Sequence, residues 1–277
     1  MKTKPFAALS LFALPALLLG VALPLAACAP AATATPALTG DLTVFAAASL
    51  TDAFTELGTQ FEAAHPGSAV TFNFAGSNSL AQQIGQAAPA DVFASANGAQ
   101  MLVAIDTGRI VSGTQQTFVR NRLVVIVPTD NPGGVTTLPD LGKPGLTVVL
   151  AAAEVPVGQY SLDFLDKAAA DAAFAPGFKD AVLANVVSYE DNVRAVLTKV
   201  ALGEADAGIV YSSDVTGESA GAVTKLDIPD ALNTVASYPI AALSDSPHAA
   251  LAQAFVDFVL SAAGQAVLTR YGFIAVK

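Results

Sequence analysis

Five times between Phe45 and Asp214 the chain leaves a short apolar strand through a turn of small or polar residues and heads for a helix. The first of these turns is the clearest. Leu42 to Phe45 reads as the end of a strand. From Leu50 onward, Leu50, Phe54, Leu57 and Phe61 fall at i, i+4, i+7 and i+11, one stripe of a helix. Between them lies Ala46-Ala47-Ala48-Ser49, and Ser49-x-x-Asp52 has the spacing of a capping box. A strand that enters a helix through small residues leaves backbone N–H groups free at the positive end of the helix dipole, which suits an anion. On this stretch alone the favoured reading is that Ser49 only caps its helix. The recurrence of the pattern shifts the reading toward a binding site.

The other turns follow in order. Ala69 to Phe74 is a strand with Val70, Phe72 and Phe74 on one face; it runs into Ala75-Gly76-Ser77-Asn78-Ser79 and a helix carrying Leu80, Ile84 and Ala87, with Ser77 or Ser79 in the capping position. Ala90 to Ala94 is a third strand and Ala96 to Ile110 a helix. Leu123 to Val127 is a β-branched strand closed by Pro128. Leu146 to Leu150 leads through Glu154–Tyr160 to a helix with Leu162, Phe164 and Leu165. Val186 to Tyr189 leads through Glu190–Arg194 to one with Val193, Val196, Leu197 and Val200. Ala207 to Tyr211 ends in Ser212-Ser213-Asp214. Such alternation predicts βαβ units and mostly parallel sheets, with a ligand at the carboxyl ends of the strands. The chain returns through Ala236–Leu243 to a long helix over about 247–261 and ends near Arg270-Tyr271-Gly272-Phe273. That return implies two lobes joined by crossings near 120–126 and 235–242, with a hinged cleft between them.

The chain of 277 residues carries 13 basic and 23 acidic side chains, a net charge of −10 that falls further once Lys2 and Lys4 are removed, so nucleic acid is not expected as a partner. With 13% charged and 53% hydrophobic residues it reads as a well-buried domain and not as a disordered chain. Met1-Lys2-Thr3-Lys4, the apolar run Phe6–Leu25 and the small residues after it form a secretory signal, and Pro15 and Pro24 argue against a retained membrane helix. Cys28 is the only cysteine, which excludes an intrachain disulfide. Leu25-Ala26-Ala27-Cys28 resembles the lipobox of bacterial lipoproteins, implying cleavage before Cys28 and a lipid on its sulfur; the plainer alternative is a signal peptide with an incidental cysteine. The expected organisation is a leader over 1–27, lipidated Cys28 with a flexible tether over 28–40, one lobe from 41–122 plus 238–277, and a second from 123–237.

The stretches FAAASL (45–50), FAGSNSLA (74–81), PADVFA (89–94), VPVGQY (155–160), DNVR (191–194), GIVYSSD (208–214) and YGF (271–273) together resemble the periplasmic molybdate-binding proteins of ABC transporters, over nearly all of 41–277. The resemblance implies an α/β, two-lobed periplasmic-binding-protein fold of type II. It also implies a molybdate or tungstate ligand with no cofactor, delivery to an ABC permease, and a monomer outside the cytoplasm. Carried over by position, it implies an oxyanion held by the hydroxyls of Ser49, Ser77 and Tyr211 and by the backbone N–H groups of Val157 and Val193, with no metal cation and no catalytic residue. Asn78 stands where that family commonly has serine, and Val157 where it commonly has alanine; both bear on pocket size and selectivity. The chemistry agrees. A tetrahedral dianion without a proton at neutral pH needs donors only, whereas partly protonated phosphate needs an acceptor as well.

Two other readings are sulfate or another small oxyanion as ligand, and an exported hydrolase. One Gly-x-Ser-x-Gly occurs, Gly217-Glu218-Ser219-Ala220-Gly221, but it does not follow directly on an apolar strand as a nucleophile elbow does. No His-Glu-x-x-His is present, and the two histidines, His65 and His248, each lie beside a proline and read as solvated surface residues. A structural surface lipoprotein leaves the donor-bearing turns unexplained. Arg194 is expected to pair with a carboxylate on its own helix, Tyr160 and Tyr238 to pack, Glu154 and Asp214 to cap turns, and Phe54, Phe61, Phe72 and Phe74 to form core.

Overall fold

The protein is seen here in a computed structural model, which describes residues 38–216 and 219–276. The leader, Cys28 and the tether as far as residue 37 lie outside the described residues. Strand β1 (Gly40–Ala47) passes through a 3-10 turn, Ala48–Leu50, into helix α1 (Thr51–Ala64). The stripe read from the sequence is the reason this helix forms where it does, since Leu50, Phe54, Leu57 and Phe61 are all fully buried. The chain turns at His65-Pro66-Gly67, with Gly67 at a φ of 91°, and β2 (Ser68–Ala75) returns parallel to β1. Helix α2 (Ser77–Gly85), β3 (Val92–Ala94), α3 (Gly98–Asp106) and β4 (Gln116–Asn121) follow. Helix α3 is shorter than the 96–110 expected: Asn97 caps its start by accepting the Gln100 N–H at 2.9 Å, and it ends at Asp106, just before Gly108 at a φ of 79°.

Only Arg122 separates β4 from β5 (Leu123–Pro128), which belongs to a different sheet. That second body contains β6 (Val148–Ala151), α4 (Pro156–Ala169), α5 (Phe178–Ala184), β7 (Val186–Glu190), α6 (Val193–Ala201), β8 (Ala207–Tyr211), the short α7 (Ser219–Ala222) and β9 (Val223–Asp227). The chain then re-enters the first body as β10 (Ala236–Ala242), α8 (Ala249–Leu260), α9 (Ala262–Arg270) and β11 (Ile274–Ala275). The long helix expected to reach Ser261 stops one residue short, because Ser261 caps α9 by accepting the Gly264 N–H at 3.2 Å.

Among the described residues the first sheet runs β11-β4-β10-β3-β1-β2 and the second β7-β6-β8-β5-β9. The pairs β1–β2, β1–β3, β6–β7 and β6–β8 are parallel. Strand β10 is antiparallel to both β3 and β4, β11 is antiparallel to β4, and β5 is antiparallel to β8 and β9. Both sheets are therefore mixed and not mostly parallel as expected. The βαβ units give the parallel part, and the strands that carry the chain out of one sheet and back reverse direction to do so.

The first core centres on Phe54, whose ring lies 6.1 Å from Phe72, 5.7 Å from Phe118 and 6.1 Å from Phe255, centroid to centroid. Phe61 joins it through Phe255, while Phe72 and Phe74 are only partly buried at its margin. One glycine fixes where the second body's main helix begins. A Cβ on Gly158 would sit 2.0 Å from the carbonyl oxygen of Ala152, so the start of α4 lies hard against the loop that follows β6.

Candidate functional site

The carboxyl ends of β1, β2, β6, β7 and β8 meet where the two bodies face each other, around a small cavity with about 210 Å³ of space free of protein atoms. It is lined by all five residues singled out from the sequence, Ser49, Ser77, Val157, Val193 and Tyr211, with Ala47, Ala48, Ala75 and Ala96 among the rest of its wall. All five are buried. Ser49 and Ser77 come from the first body, and Val157, Val193 and Tyr211 from the second. Contacts across the divide hold the walls together. Arg194 Nη2 donates to Asp52 Oδ2 at 2.7 Å, and Gln100 Nε2 to the Glu154 carbonyl at 3.4 Å. A Cβ on Gly76 would lie 2.4 Å from the Asp191 carbonyl oxygen, so glycine alone lets these two turns meet this closely.

The helix starts around the cavity have their first N–H groups to spare. Neither serine caps a helix, contrary to the capping expected from Ser49-x-x-Asp52 and from Ser77 or Ser79. Ser49 lies inside the 3-10 turn, and its Oγ is 3.0 Å from the hydroxyl of Tyr238. Ser77 is the first residue of α2, behind Gly76, and its Oγ accepts the Ala96 N–H at 2.9 Å. A hydroxyl that accepts in this way keeps its own proton to donate elsewhere. Helix α4 begins at Pro156 after Val155 with no side-chain cap. Helix α6 is capped by Asn192, whose Oδ1 accepts the Ala195 N–H at 3.0 Å, and this leaves the N–H of Val193 at the first helical position.

Tyr211 completes the ring. Its backbone N–H donates to Asp214 Oδ2 at 3.0 Å, as a turn-capping aspartate should be used, but its buried hydroxyl has no partner among the described residues. Asn78 Oδ1 is also buried without a partner, though Asn78 does not line the cavity. Burial pushes the phenols of Tyr211 and Tyr238 above their ordinary range, so both remain neutral and keep their protons. Among the described residues no cationic side chain lines the cavity. Arg194 lies outside it and reaches across to Asp52, with its Nε 3.5 Å from Asp214 Oδ1, and does not pair along its own helix. Burial raises the Asp214 carboxyl to about 7 against the opposing pull of Arg194. Among the described residues no cluster of His, Cys, Asp or Glu is placed to hold a metal ion. The histidines are half-buried and not solvated as expected, and neither touches the cavity; His65 stacks on Phe61 with ring centroids 4.1 Å apart.

The sequence reading missed one participant. Tyr238, taken for a packing residue, is fully buried, and its hydroxyl meets both Ser49 and Asn121. No local spacing marks it, since it lies 189 residues from Ser49.

Two sheet bodies facing each other across a small cavity, walled by methyl groups and supplied with hydroxyls and helix-start N–H groups, have the form of a binding protein for a small solute. The chain belongs to the family of bacterial extracellular solute-binding proteins, whose family model matches residues 42–274. It is 42% identical over 232 residues to the molybdate-binding protein ModA of Mycobacterium tuberculosis, covering 84% of either chain. Two solved structures share its fold. One is the periplasmic molybdate-binding protein of Azotobacter vinelandii (TM-score 0.74, 20% identity, 85% of this chain and all of that one). The other is the sulfate-binding protein SubI of Mycobacterium tuberculosis (TM-score 0.74, 19% identity, 86% of this chain and 87% of that one). At such identities these two likenesses concern the fold alone. The resemblance stated from the seven motifs and the periplasmic-binding-protein fold both hold.

Proposed function

We propose that this protein captures molybdate, and tungstate with it, outside the cytoplasm and delivers it to an ABC permease. The observation that carries the reading is the Tyr211 hydroxyl, buried without a partner among the described residues, in a cavity that Ser49 and Ser77 also line and that no acidic side chain enters. An unsatisfied buried hydroxyl costs about 1–3 kcal/mol, which an oxyanion oxygen recovers by accepting from it. In this reading Ser49, Ser77 and Tyr211 donate through their hydroxyls and Val157 and Val193 through their N–H groups. Each charge-assisted bond contributes roughly 1.5–3 kcal/mol toward the cost of dehydrating the dianion. The lobes are 41–122 with 238–277, and 123–237, apart from Ala236 and Ser237, which pair with β4 in the first sheet. They part about the two crossings to admit the ligand, and the protein works as a monomer.

The test is a thermal-shift panel on residues 41–277 with molybdate, tungstate, sulfate, phosphate and chromate. Molybdate is expected to raise the melting temperature, with stabilisation of about 2.7 kcal/mol at a hundred times Kd, and sulfate to do little. No shift at millimolar molybdate sinks the assignment, and a shift with sulfate alone transfers the site to that anion. The fold is shared with a sulfate-binding protein and so does not choose between the anions; the 42% identity favours molybdate.

Tyr211→Phe separates a ligand-binding hydroxyl from a merely packed one. Removing an unpaired buried hydroxyl is expected to leave apo stability unchanged or raise it by about 1 kcal/mol, while molybdate affinity falls about tenfold to a hundredfold. Titration calorimetry beside apo melting curves measures both. A variant with lowered apo stability and full affinity takes Tyr211 out of the site.

Lipid on Cys28 would hold the protein at the outer face of the membrane. Cys28→Ser is accordingly expected to move the protein out of the membrane fraction or to leave an uncleaved precursor, with oxyanion binding by residues 41–277 unaffected. A processed Cys28→Ser protein still sedimenting with membranes rules the anchor out.

A further inference from the structure

The Ser49 hydroxyl is the end of a buried chain of hydrogen bonds, and that chain has a direction. Its far end is Asn121, the last residue of β4 and fully buried. Asn121 Oδ1 accepts the backbone N–H of Arg122 at 3.0 Å. A backbone N–H only donates, so this bond settles which end of the amide is oxygen. The Nδ2 group then donates both its protons, one to Ser213 Oγ at 2.7 Å and one to the Tyr238 hydroxyl at 3.4 Å. Tyr238 Oη therefore receives a proton from behind and has one of its own to place. Ser49 Oγ, 3.0 Å away, is the partner the geometry gives it. The reverse direction would bring two donors onto Tyr238 and leave its own proton only the Tyr211 hydroxyl, with which it forms no hydrogen bond in this structure, at a cost a buried network avoids.

We infer that Tyr238 is a positioning residue for the oxyanion site: it donates to Ser49, and so holds the Ser49 proton pointed into the cavity as a ready donor. The inference rests on the anion-binding reading above and adds to it how one of the donors is oriented before the ligand arrives. Ordinarily a serine hydroxyl rotates, and in an empty cavity it would spend its proton on whatever acceptor lies nearest. Here the only lone-pair contact it makes is with a hydroxyl that already receives from elsewhere. The ligand thus meets a donor that need not turn. The chain also spans the molecule. Ser49 sits in the 3-10 turn between β1 and α1 of the first body, Ser213 in the turn after β8 of the second, and Asn121 and Tyr238 on the two strands next to the crossings.

A double-mutant cycle tests this on wild type, Ser49→Ala, Tyr238→Phe and the double variant, each titrated with molybdate by calorimetry and melted without it. Tyr238→Phe keeps the ring and is expected to weaken binding about fivefold to tenfold, and Ser49→Ala about tenfold or more. The double variant is expected to bind within about twofold of Ser49→Ala, because the effect of Tyr238 passes through Ser49. A role in packing alone would lower the melting temperature and leave the affinity of the folded protein alone, or would multiply with the Ser49 loss; either result overturns the inference while the anion reading stands. Failure of the wild type to bind molybdate overturns both. Should Tyr238→Phe not fold, Asn121→Ser removes the amide donor behind Tyr238 and is expected to weaken binding about threefold, an effect that must vanish in the Ser49→Ala background.

Discussion

Val193→Pro is expected to weaken molybdate binding by about a hundredfold or more while the domain stays folded. Val193 is the first residue of α6, where a helix needs no N–H from its backbone and where proline's fixed φ is already suitable. The residue before it, Asn192, has φ −160° and ψ 167°, the extended conformation that a following proline requires. The helix cap is also kept, because the Asn192 side chain bonds to Ala195 and not to Val193. Proline therefore removes one backbone donor from the cavity and puts a methylene where an oxygen of the anion would lie. Val193→Ala is the control and is expected to bind normally, since in the proposed site the side chain forms only wall and the N–H would form the bond. Calorimetric titration of both, with apo melting curves, gives the answer. Full affinity in the proline variant would remove Val193 from the ligand set, whatever the alanine control showed.

The largest loss of stability is expected at Phe54. Its ring is fully buried, with Phe72, Phe118 and Phe255 around it on β2, β4 and α8. Phe54→Ala leaves a cavity that these neighbours, held on separate elements, cannot close. The expected cost is about 3–5 kcal/mol of unfolding free energy, seen as a lower urea midpoint with the slope unchanged. A cost below about 1 kcal/mol would mean that the first body repacks freely, contrary to the dense aromatic cluster described above.

What the sequence disclosed and what it hid follow from range. Each strand-to-helix turn is written in consecutive residues: local spacing marks Ser49 and Ser77, the family likeness implies these two with Val157, Val193 and Tyr211, and the fold brings all five to one cavity. The job each serine does was less legible. Ser49-x-x-Asp52 has capping spacing, yet the 3-10 turn carries Ser49 away from the helix start and toward Tyr238. Spacing along a chain cannot register a partner on a strand that arrives nearly two hundred residues later. The same limit hid the ion pair from Arg194 to Asp52. Strands β4 and β9 escaped notice for another reason. Their exposed positions are polar and their runs short, so neither shows the apolar density that marked β5 or β8. Sheet direction was misjudged because the alternation of strand and helix speaks only for the units it contains and says nothing of the strands that leave and return.

Strand β10 lies between β3 and β4 in the first sheet, although more than a hundred residues of the second body are made before it. A ribosome therefore completes β1 through β4 long before the strand that joins them exists. Until residue 242 has emerged, β4 has no route into the sheet of β1, β2 and β3, and Phe118 on β4 lacks the support that fixes it beside Phe54. Such an order of manufacture postpones the first body's folding to the end of synthesis. For a chain that must pass outward through a membrane before it is used, late closure keeps the polypeptide threadable, and the element that locks the fold is among the last to cross.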